Sequence, residues 1–241
     1  MGLAPMSTLS PGGRAWRWGL WAWIALVIVG AFAYAPLAKD FLGQSSRILF
    51  FHVPMAWCSF VAFMAAGGWS VLYLWRRGPD HDRAAAAAIE IGLVFCFLAT
   101  VTGAMWARVM WGAWWNWDPR QTSISVVLVF YAAYLVLRGA VEDPDARARL
   151  CAAYAVLGLV VAPFFFFVLP RMVSFTLHPD AVINTRAKVE VESRMLQVLL
   201  ASAAGFTVLF FWLHRLRLRV LRLAARRAQP VETEPALEVS A

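Results

Sequence analysis

Residues 89–106 read IEIGLVFCFLATVTGAMW, an apolar run interrupted by one charge, at Glu90. A helix needs about 20 such residues, with a range of about 17–25, to cross the hydrocarbon core of a bilayer. Five further apolar runs, two of them short, lie along the chain, at about residues 18–35, 54–75, 123–137, 150–169 and 195–213. The sequence therefore predicts an all-α integral membrane protein with six transmembrane helices.

The composition supports a membrane protein and argues against a water-soluble domain. Of the 241 residues, 61% are hydrophobic and 15% are charged, and the mean hydropathy is +0.64. A soluble domain is closer to half apolar and a quarter charged. The net charge of +8 does not indicate a nucleic-acid partner, because the basic residues form short clusters between apolar runs. The 13 tryptophans, against 5 tyrosines, are the unusual feature that the fold class leaves unexplained.

The three cysteines indicate packing rather than chemistry. Cys58 and Cys96 lie inside apolar runs and Cys151 begins one. No two of them form a C-x-x-C pair, and the C-x-x-C-H site of covalent haem attachment is missing from the sequence. We therefore expect neither a disulfide framework nor a c-type cytochrome. The sequence also has no phosphate-binding loop, which predicts that the chain does not itself hydrolyse ATP.

Lysine and arginine residues in the connections predict the orientation. The two termini and the connections on their side together carry 14 of them, and the opposite connections carry 8. We therefore expect a cytoplasmic N-terminus (1–17), a six-span membrane domain (18–213) and a cytoplasmic tail (214–241) that is first basic and, after about residue 229, disordered. Ala33-Tyr34-Ala35 resembles a signal-peptide cleavage site, but five further spans follow, and we interpret the first run as a retained helix.

An outward-facing segment, residues 107–122, concentrates tryptophan. From residue 111 the sequence reads WGAWWNWDPRQTS. If this stretch is helical, four of its side chains share one face at the spacing i, i+3, i+4 and i+7, namely Trp111, Trp114, Trp115 and Asp118. Such a face would form a shelf for a large planar apolar ligand, with Arg120 placed for an anionic substituent. The alternatives are an interfacial aromatic belt for the tryptophans, and a helix cap or an Arg120 partner for Asp118.

Two of the four histidines are predicted to face the same side of the membrane as this segment. His52 precedes the second span and His178 lies between the fifth and sixth, whereas His81 and His214 are expected at the solvated surface of the other side. Taken singly, each outward histidine is more often an ordinary polar loop residue. Together with an aromatic shelf, two neutral imidazoles would suit an iron porphyrin, with one imidazole on each face of the iron.

The string W-G-x-W-W-x-W-D-x-R-x-T-S resembles the signature of the WWD-domain haem-handling family, and within it the cytochrome c maturation protein C branch. Every fixed position of the string is filled, and the sequence H-V-P-x-A-W from His52 is also close to the family pattern. The match is poorer around His178. The family usually has a Trp and an Asn shortly before this histidine, where residues 174–176 here read SFT, and Pro179 follows it.

The resemblance implies a haem-handling subunit of cytochrome c biogenesis in the bacterial inner membrane. Haem b, held non-covalently as cargo at the periplasmic face, would be helped onto a membrane-tethered periplasmic haem chaperone. The implied partners are that chaperone, a small single-span subunit, and the ATPase and permease subunits of an ABC transporter. His52 and His178 would be the axial ligands of the haem iron. The other predicted haem contacts are Arg47, Trp111, Gly112, Trp114, Trp115, Trp117, Asp118 and Arg120.

The acidic residues do not indicate catalysis, because no two are placed as a paired general acid and base. We expect a binding and transfer component rather than a conventional enzyme, with a role in promoting the haem–chaperone bond left open. The alternatives are a membrane transport permease with a Trp-lined substrate site and a structural assembly subunit. A related synthetase that binds a second haem inside the membrane would need histidines within the spans. The sequence predicts none there, which argues against this alternative.

Three other charged residues receive individual predictions. Glu90 is expected to reach headgroup water or to pair with Arg83. Arg171 is expected to anchor its helix at the outer membrane interface. For Arg47 two roles stay open, the same anchoring role and a contact with a haem propionate.

Overall fold

The computed structural model describes residues 11–38, 42–173, 175–178 and 191–228. Throughout these residues the regular structure is helical, in seven α-helices: α1 (Pro11–Val29), α2 (Leu49–Arg76), α3 (Pro79–Trp111), α4 (Pro119–Ala140), α5 (Pro144–Pro163), α6 (Leu169–Met172) and α7 (Ser193–Arg227). Three short π-helical or 3-10 segments adjoin these helices: Gly30–Tyr34 continues α1, Gln44–Ile48 leads into α2, and Phe164–Val168 joins α5 to α6. Six helical segments of this part of the chain are long and apolar enough to cross a membrane. The predicted all-α fold with six spanning helices is confirmed.

Successive long helices run in opposite directions, so that the bundle has two ends. At one of them, which we call the arginine end, the start of α3 forms ion pairs with later helices. Asp82 pairs with Arg138 of α4 at 2.7 Å, and Asp80 pairs with Arg222 of α7 at 3.1 Å. At the other end, the tryptophan end, Ser45 Oγ donates to Met110 Sδ in the last turn of α3 at 3.0 Å. The tryptophan end therefore gathers the ends of α1, α3 and α6 and the starts of α2, α4 and α7.

The core is built where α2 and α3 pack against α4 and α5. Phe63 of α2 stacks on Tyr131 of α4, with ring centroids 3.6 Å apart and planes 5° from parallel, and both side chains are fully buried. The close approach of α2 and α3 depends on Gly92, where a Cβ would lie 2.8 Å from the Cβ of Ala62. The three cysteines are buried and free, as their apolar surroundings in the sequence predicted.

The start of α2 lies earlier than predicted. The helix begins at Leu49, although Pro54 was expected to mark its first residue. Pro54 has no backbone N–H to bond the carbonyl of Phe50, and Ser202 Oγ of α7 donates to that carbonyl at 2.5 Å instead. Because the missing helical bond is replaced in this way, the helix continues through the proline, and His52 lies in its first turn rather than in a connection.

The sixth span also extends beyond its apolar run. α7 continues to Arg227 rather than ending near residue 213, so that the first part of the predicted basic tail is helical. The predicted disordered part, from about residue 229, lies outside the described residues. His214, expected at the solvated surface, is instead buried against α3, with its Nε2 3.0 Å from the carbonyl oxygen of Ala84. That prediction was wrong because it ended the helix one residue before His214.

The longer α7 also supplies a different partner for Glu90. The Glu90 carboxylate pairs with Arg217 of α7, whereas Arg83 pairs with Asp80 at 2.8 Å. The predicted pair of Glu90 with Arg83 is therefore wrong. Glu90 lies two turns beyond Arg83 on α3, and only the continuation of α7 past residue 213 brings an arginine beside it.

Candidate functional site at the tryptophan end

The Trp-rich connection between α3 and α4 is not a helix. α3 ends at Trp111, and Gly112 follows it with a φ of 79°, the left-handed conformation that often terminates a helix and that glycine adopts without strain. α4 begins only at Pro119. The predicted single helical face across residues 111–118 is therefore wrong, because the chain leaves the helix at the first residue after Trp111.

The tryptophans of this connection fall into two groups. Trp111 packs edge to face against Trp106, five residues earlier in α3, with ring centroids 5.0 Å apart. Trp114 and Trp117 are largely exposed, with 59% and 76% of their surface accessible, and Trp115 meets Trp117 edge to face at 5.9 Å. The connection thus has one aromatic pair packed at the end of α3 and a second aromatic group at the surface, rather than one continuous shelf.

Asp118 holds the connection in place from a buried position. Its side chain is 4% exposed, and its Oδ1 accepts from the backbone N–H of Arg120 at 2.9 Å, which caps the start of α4. Its Oδ2 accepts from Thr176 Oγ1 and from the backbone N–H of Leu177, both at 2.7 Å. Asp118 therefore ties the Trp-rich connection to the connection that carries His178, and the helix-cap alternative for this residue is observed.

His178 lies against the aromatic pair at the end of α3. Its ring centroid is 5.5 Å from that of Trp106 and 6.4 Å from that of Trp111. Its backbone N–H donates to Thr176 Oγ1 at 3.1 Å, the same oxygen that donates to Asp118. The buried carboxylate, the threonine hydroxyl and the histidine backbone are thus linked in series. The sequence departs from the family pattern at Ser174, and Pro179 restricts the backbone directly after His178. Both residues lie outside the described residues.

His52 reaches the same part of α3 from the first turn of α2. Its Nδ1 is 3.0 Å from Thr102 Oγ1. The Thr102 hydroxyl has a single proton, and two backbone carbonyls of its own helix lie within reach of it, those of Leu98 at 2.8 Å and Ala99 at 3.1 Å. Since that proton is used within the helix, we assign the imidazole as the donor, with the hydrogen on Nδ1 and the lone pair on Nε2.

The two histidines therefore contact neighbouring turns near the end of α3. Thr102, which binds His52, lies one turn before Trp106, which contacts His178. Both histidines thus lie at the end of the bundle that carries the Trp-rich segment. An imidazole that donates through Nδ1 and presents Nε2 is the arrangement that second-shell hydrogen bonds give to metal-bound histidines, and His52 has this arrangement.

The three arginines singled out by the sequence differ in their surroundings. Arg47 donates to Gln44 Oε1 at 2.9 Å and to the carbonyl of Ala31, and its guanidinium lies over the ring of Phe32 at 5.3 Å. It therefore joins the end of the first span to the start of the second. Arg120 is half-buried in the first turn of α4. A propionate contact from either residue stays a prediction.

Arg171 behaves as an interfacial side chain. Its guanidinium donates to the carbonyl of Phe167 at 2.9 Å and lies 5.9 Å from the centroid of the Phe167 ring. Both partners belong to its own helical segment at the tryptophan end, which agrees with the anchoring role that the sequence favoured.

Four residues of this site were not singled out from the sequence: Thr102, Gly103, Trp106 and Thr176. Gly103 leaves the space for His52, because a Cβ at this position would lie 3.0 Å from the imidazole Cε1. A signal was present, since a threonine and a glycine interrupt the third apolar run one turn before its last tryptophan. Thr176 had no such signal, because its role depends on Asp118, 58 residues earlier in the chain.

Comparison with known proteins places this chain in a recognised family. The family model described as heme exporter protein C matches residues 4–233. Heme exporter protein C of Rhodobacter capsulatus is 32% identical over 235 residues, which cover 95% of this chain and 94% of the relative. The protein of the same name from Paracoccus denitrificans is 35% identical over 195 residues (78% of this chain, 79% of the relative), and that from Escherichia coli K12 is 32% identical over 220 residues (89% and 87%).

Proposed function

Since the chain belongs to the heme exporter protein C family, we propose that it handles haem in cytochrome c maturation, holding it at the tryptophan end and helping to load it onto a haem chaperone. The observation that carries this proposal is that His52 and His178 contact neighbouring turns near the end of α3, at Thr102 and Trp106. Haem is the cargo of this site and not a resident cofactor. The haem in question is haem b, held without a covalent bond to this chain.

In this proposal the iron lies between the two imidazoles. His52 supplies its Nε2, because Nδ1 is held by Thr102. His178 comes from a connection that Asp118 and Thr176 fasten to the start of α4. Neutral imidazole is the usual axial ligand of haem iron in electron-transfer and carrier proteins. One ligand from the start of a helix and one from a connection allow the iron to be released when that connection moves, as transfer of the cargo requires.

The tryptophans supply the apolar surroundings of the porphyrin. Trp106 and Trp111 already contact His178 and would meet the edge of a porphyrin that His178 ligates. Trp114 and Trp117 expose large aromatic faces at the surface of the same connection. Exposed aromatic side chains of this kind are favoured at protein interfaces, and we assign them to the encounter with the haem chaperone. Arg47 and Arg120 are the candidates for the propionates.

The cellular arrangement follows the charge distribution. We assign the arginine end of the bundle, with both termini, to the cytoplasm. The tryptophan end is assigned to the periplasmic face of the bacterial inner membrane. The further partners proposed are a small single-span subunit and the ATPase and permease of an ABC transporter. The chain acts as a binding and transfer component, and any part in forming the haem–chaperone bond consists of presenting the haem.

Absorption spectroscopy of the purified full chain tests the proposal. We expect the wild type, coexpressed with the chaperone, to show the Soret and visible bands of bis-histidine haem, and His52→Ala and His178→Ala each to lose them, with partial recovery in added imidazole. His81→Ala is the matched control, since His81 stacks on Trp69 at the arginine end. Wild-type protein without haem would contradict the haem-handling function. Two alanine variants with unchanged spectra would contradict the ligand assignment alone.

A further inference from the structure

The arginine end contains a second candidate site, where α3 and α7 extend past the membrane core together. α7 has 35 residues and α3 has 33. At about 1.5 Å per residue each is roughly 50 Å long, against a hydrocarbon core of about 30 Å. The exposed Trp75, at the end of α2, lies three residues before Gly78, which caps the start of α3. Since exposed tryptophans concentrate at the membrane–water interface, this end of the two helices lies at headgroup level.

A cavity of about 450 Å³ opens between the start of α3 and the end of α7. Three arginines line it: Arg83 from α3, and Arg222 and Arg226 from α7. Asp80 is the acidic side chain of the lining, and it is shared, accepting from Arg83 at 2.8 Å and from Arg222 at 3.1 Å. One carboxylate therefore faces three guanidinium groups, and the cavity keeps an excess of positive charge. Its volume lies in the range of small-ligand sites, about 300–1,000 Å³.

The surface of α7 beside this cavity indicates contact with lipid rather than with water alone. Leu216, Val220 and Leu223 are exposed and follow the spacing i, i+4, i+7, which places them in one stripe along the helix. A helix that combines an apolar stripe with arginines rests at the boundary between acyl chains and headgroups. The stripe thus keeps the last turns of α7, and with them the cavity, at the depth of lipid phosphates.

We propose that this cavity binds the headgroup of an anionic phospholipid. Arg226 and the outer faces of Arg83 and Arg222 contact the phosphate, while Asp80 holds two of the guanidinium groups in position. Arginine suits this role because its planar fork bonds phosphate oxygens in pairs. The bound lipid fastens the end of α7 to the start of α3. This site is separate from the haem site, and its test does not depend on the proposed function.

Native mass spectrometry of the full chain tests the proposal. The protein is reconstituted in bilayers of equal parts phosphatidylcholine and phosphatidylglycerol and extracted gently, and the lipids retained are counted. We expect the wild type to retain phosphatidylglycerol preferentially and Arg226→Gln to retain it about fivefold less, the effect of about one interfacial charge. Arg227→Gln is the matched control, because Arg227 is the next arginine along α7 and is not among the residues that line the cavity. It should behave as the wild type.

A second variant adds charge without removing an arginine. Ala225→Glu places a carboxylate in the lining of the cavity and should abolish the preference, while both variants keep the wild-type helical circular dichroism spectrum. Equal losses in Arg226→Gln and Arg227→Gln would overturn the proposal in favour of a diffuse surface effect. A wild type with no preference for phosphatidylglycerol would overturn it in favour of another partner, such as an acidic protein. Displacement of the lipid by equimolar inorganic phosphate would overturn it in favour of a free anion.

Discussion

His52 Nδ1 lies 3.0 Å from Thr102 Oγ1, and the Thr102 proton is directed to a backbone carbonyl one turn earlier in α3. A single hydroxyl thus fixes which nitrogen of the imidazole is protonated. The consequence is that Nε2 keeps its lone pair, in the form that can bind iron. The residue that prepares the first ligand lies within a spanning helix, α3, and not in the Trp-rich connection.

Replacing Thr102 with valine removes the acceptor and keeps the shape of the side chain. We expect Thr102→Val to weaken haem binding by about 10–100-fold, the usual cost of losing a second-shell partner of a metal ligand, and Thr102→Ser to restore most of it. The measurement is a haem titration followed at the Soret band. Thr100→Val is the control, since Thr100 Oγ1 bonds only the Cys96 carbonyl of its own helix. If Thr102→Val binds haem as the wild type does, the assigned tautomer is wrong.

Thr176 links the buried Asp118 to the backbone of His178. Thr176→Val leaves the α4 cap intact, because Asp118 Oδ1 still accepts from Arg120, but it removes a charge-assisted hydrogen bond worth about 1.5–3 kcal/mol. We expect His178 to lose its fixed position, so that the haem spectrum changes from bis-histidine to a mixture with single-histidine ligation. Electron paramagnetic resonance of the ferric protein distinguishes the two. Thr176→Ser should keep the wild-type signal.

The sequence predicted the helices well and their ends poorly, for a physical reason. Apolar runs set the spanning segments, because the bilayer excludes unpaired backbone groups and fixes the length of helix that must be apolar. Ends depend on contacts with other helices. Pro54 did not begin α2, since Ser202 bonds the carbonyl that the proline leaves unpaired, and α7 did not stop at residue 213, since its arginines pair with α3.

The candidate site was predicted in the same uneven way. The Trp-rich segment and the two histidines stand out by residue type alone, and the alternation of the helices places them at one end. The helical face of residues 111–118 was wrong because one left-handed residue, Gly112, overrides a favourable spacing. Thr102 and Thr176 were not predicted, because each hydrogen-bonds a residue far away in the sequence, and only the fold brings those partners together.

Gly92 and Gly68 test the packing of the core as a matched pair. A Cβ at Gly92 would lie 2.8 Å from Ala62 and from Phe63, whereas a Cβ at Gly68 meets nothing within 4 Å. We expect Gly92→Ala to destabilise the protein by about 1–3 kcal/mol through overpacking. Gly68→Ala should be neutral or stabilise it by up to about 1 kcal/mol, because alanine has the higher helix propensity. Thermal unfolding in detergent, followed by tryptophan fluorescence, compares the two, and equal melting temperatures would contradict the packing argument.

Trp111 and Trp117 should differ in what their loss affects. Trp111 contacts both Trp106 and His178, so Trp111→Ala is expected to weaken haem binding by about tenfold through lost aromatic contact. Trp117 contacts Trp115 at the surface, so Trp117→Ala should leave haem affinity within about twofold of the wild type and reduce the transfer of haem to the chaperone. Haem titration and the yield of chaperone-bound haem are the two measurements. A similar loss of affinity in both variants would contradict the division into two aromatic groups.

Gly103 gives the sharpest test of where His52 must lie. A Cβ there would be 3.0 Å from the imidazole Cε1, so Gly103→Ala should push the ring by a few tenths of an ångström away from α3 and lengthen its bond to Thr102. Because alanine favours helix over glycine by about 1 kcal/mol, α3 itself should be no less stable. We therefore expect an unchanged melting temperature of the haem-free protein together with a weaker and shifted Soret band. Gly68→Ala is the control for the propensity effect. An unchanged Soret band in Gly103→Ala would mean that His52 binds iron from a position it does not occupy in this structure.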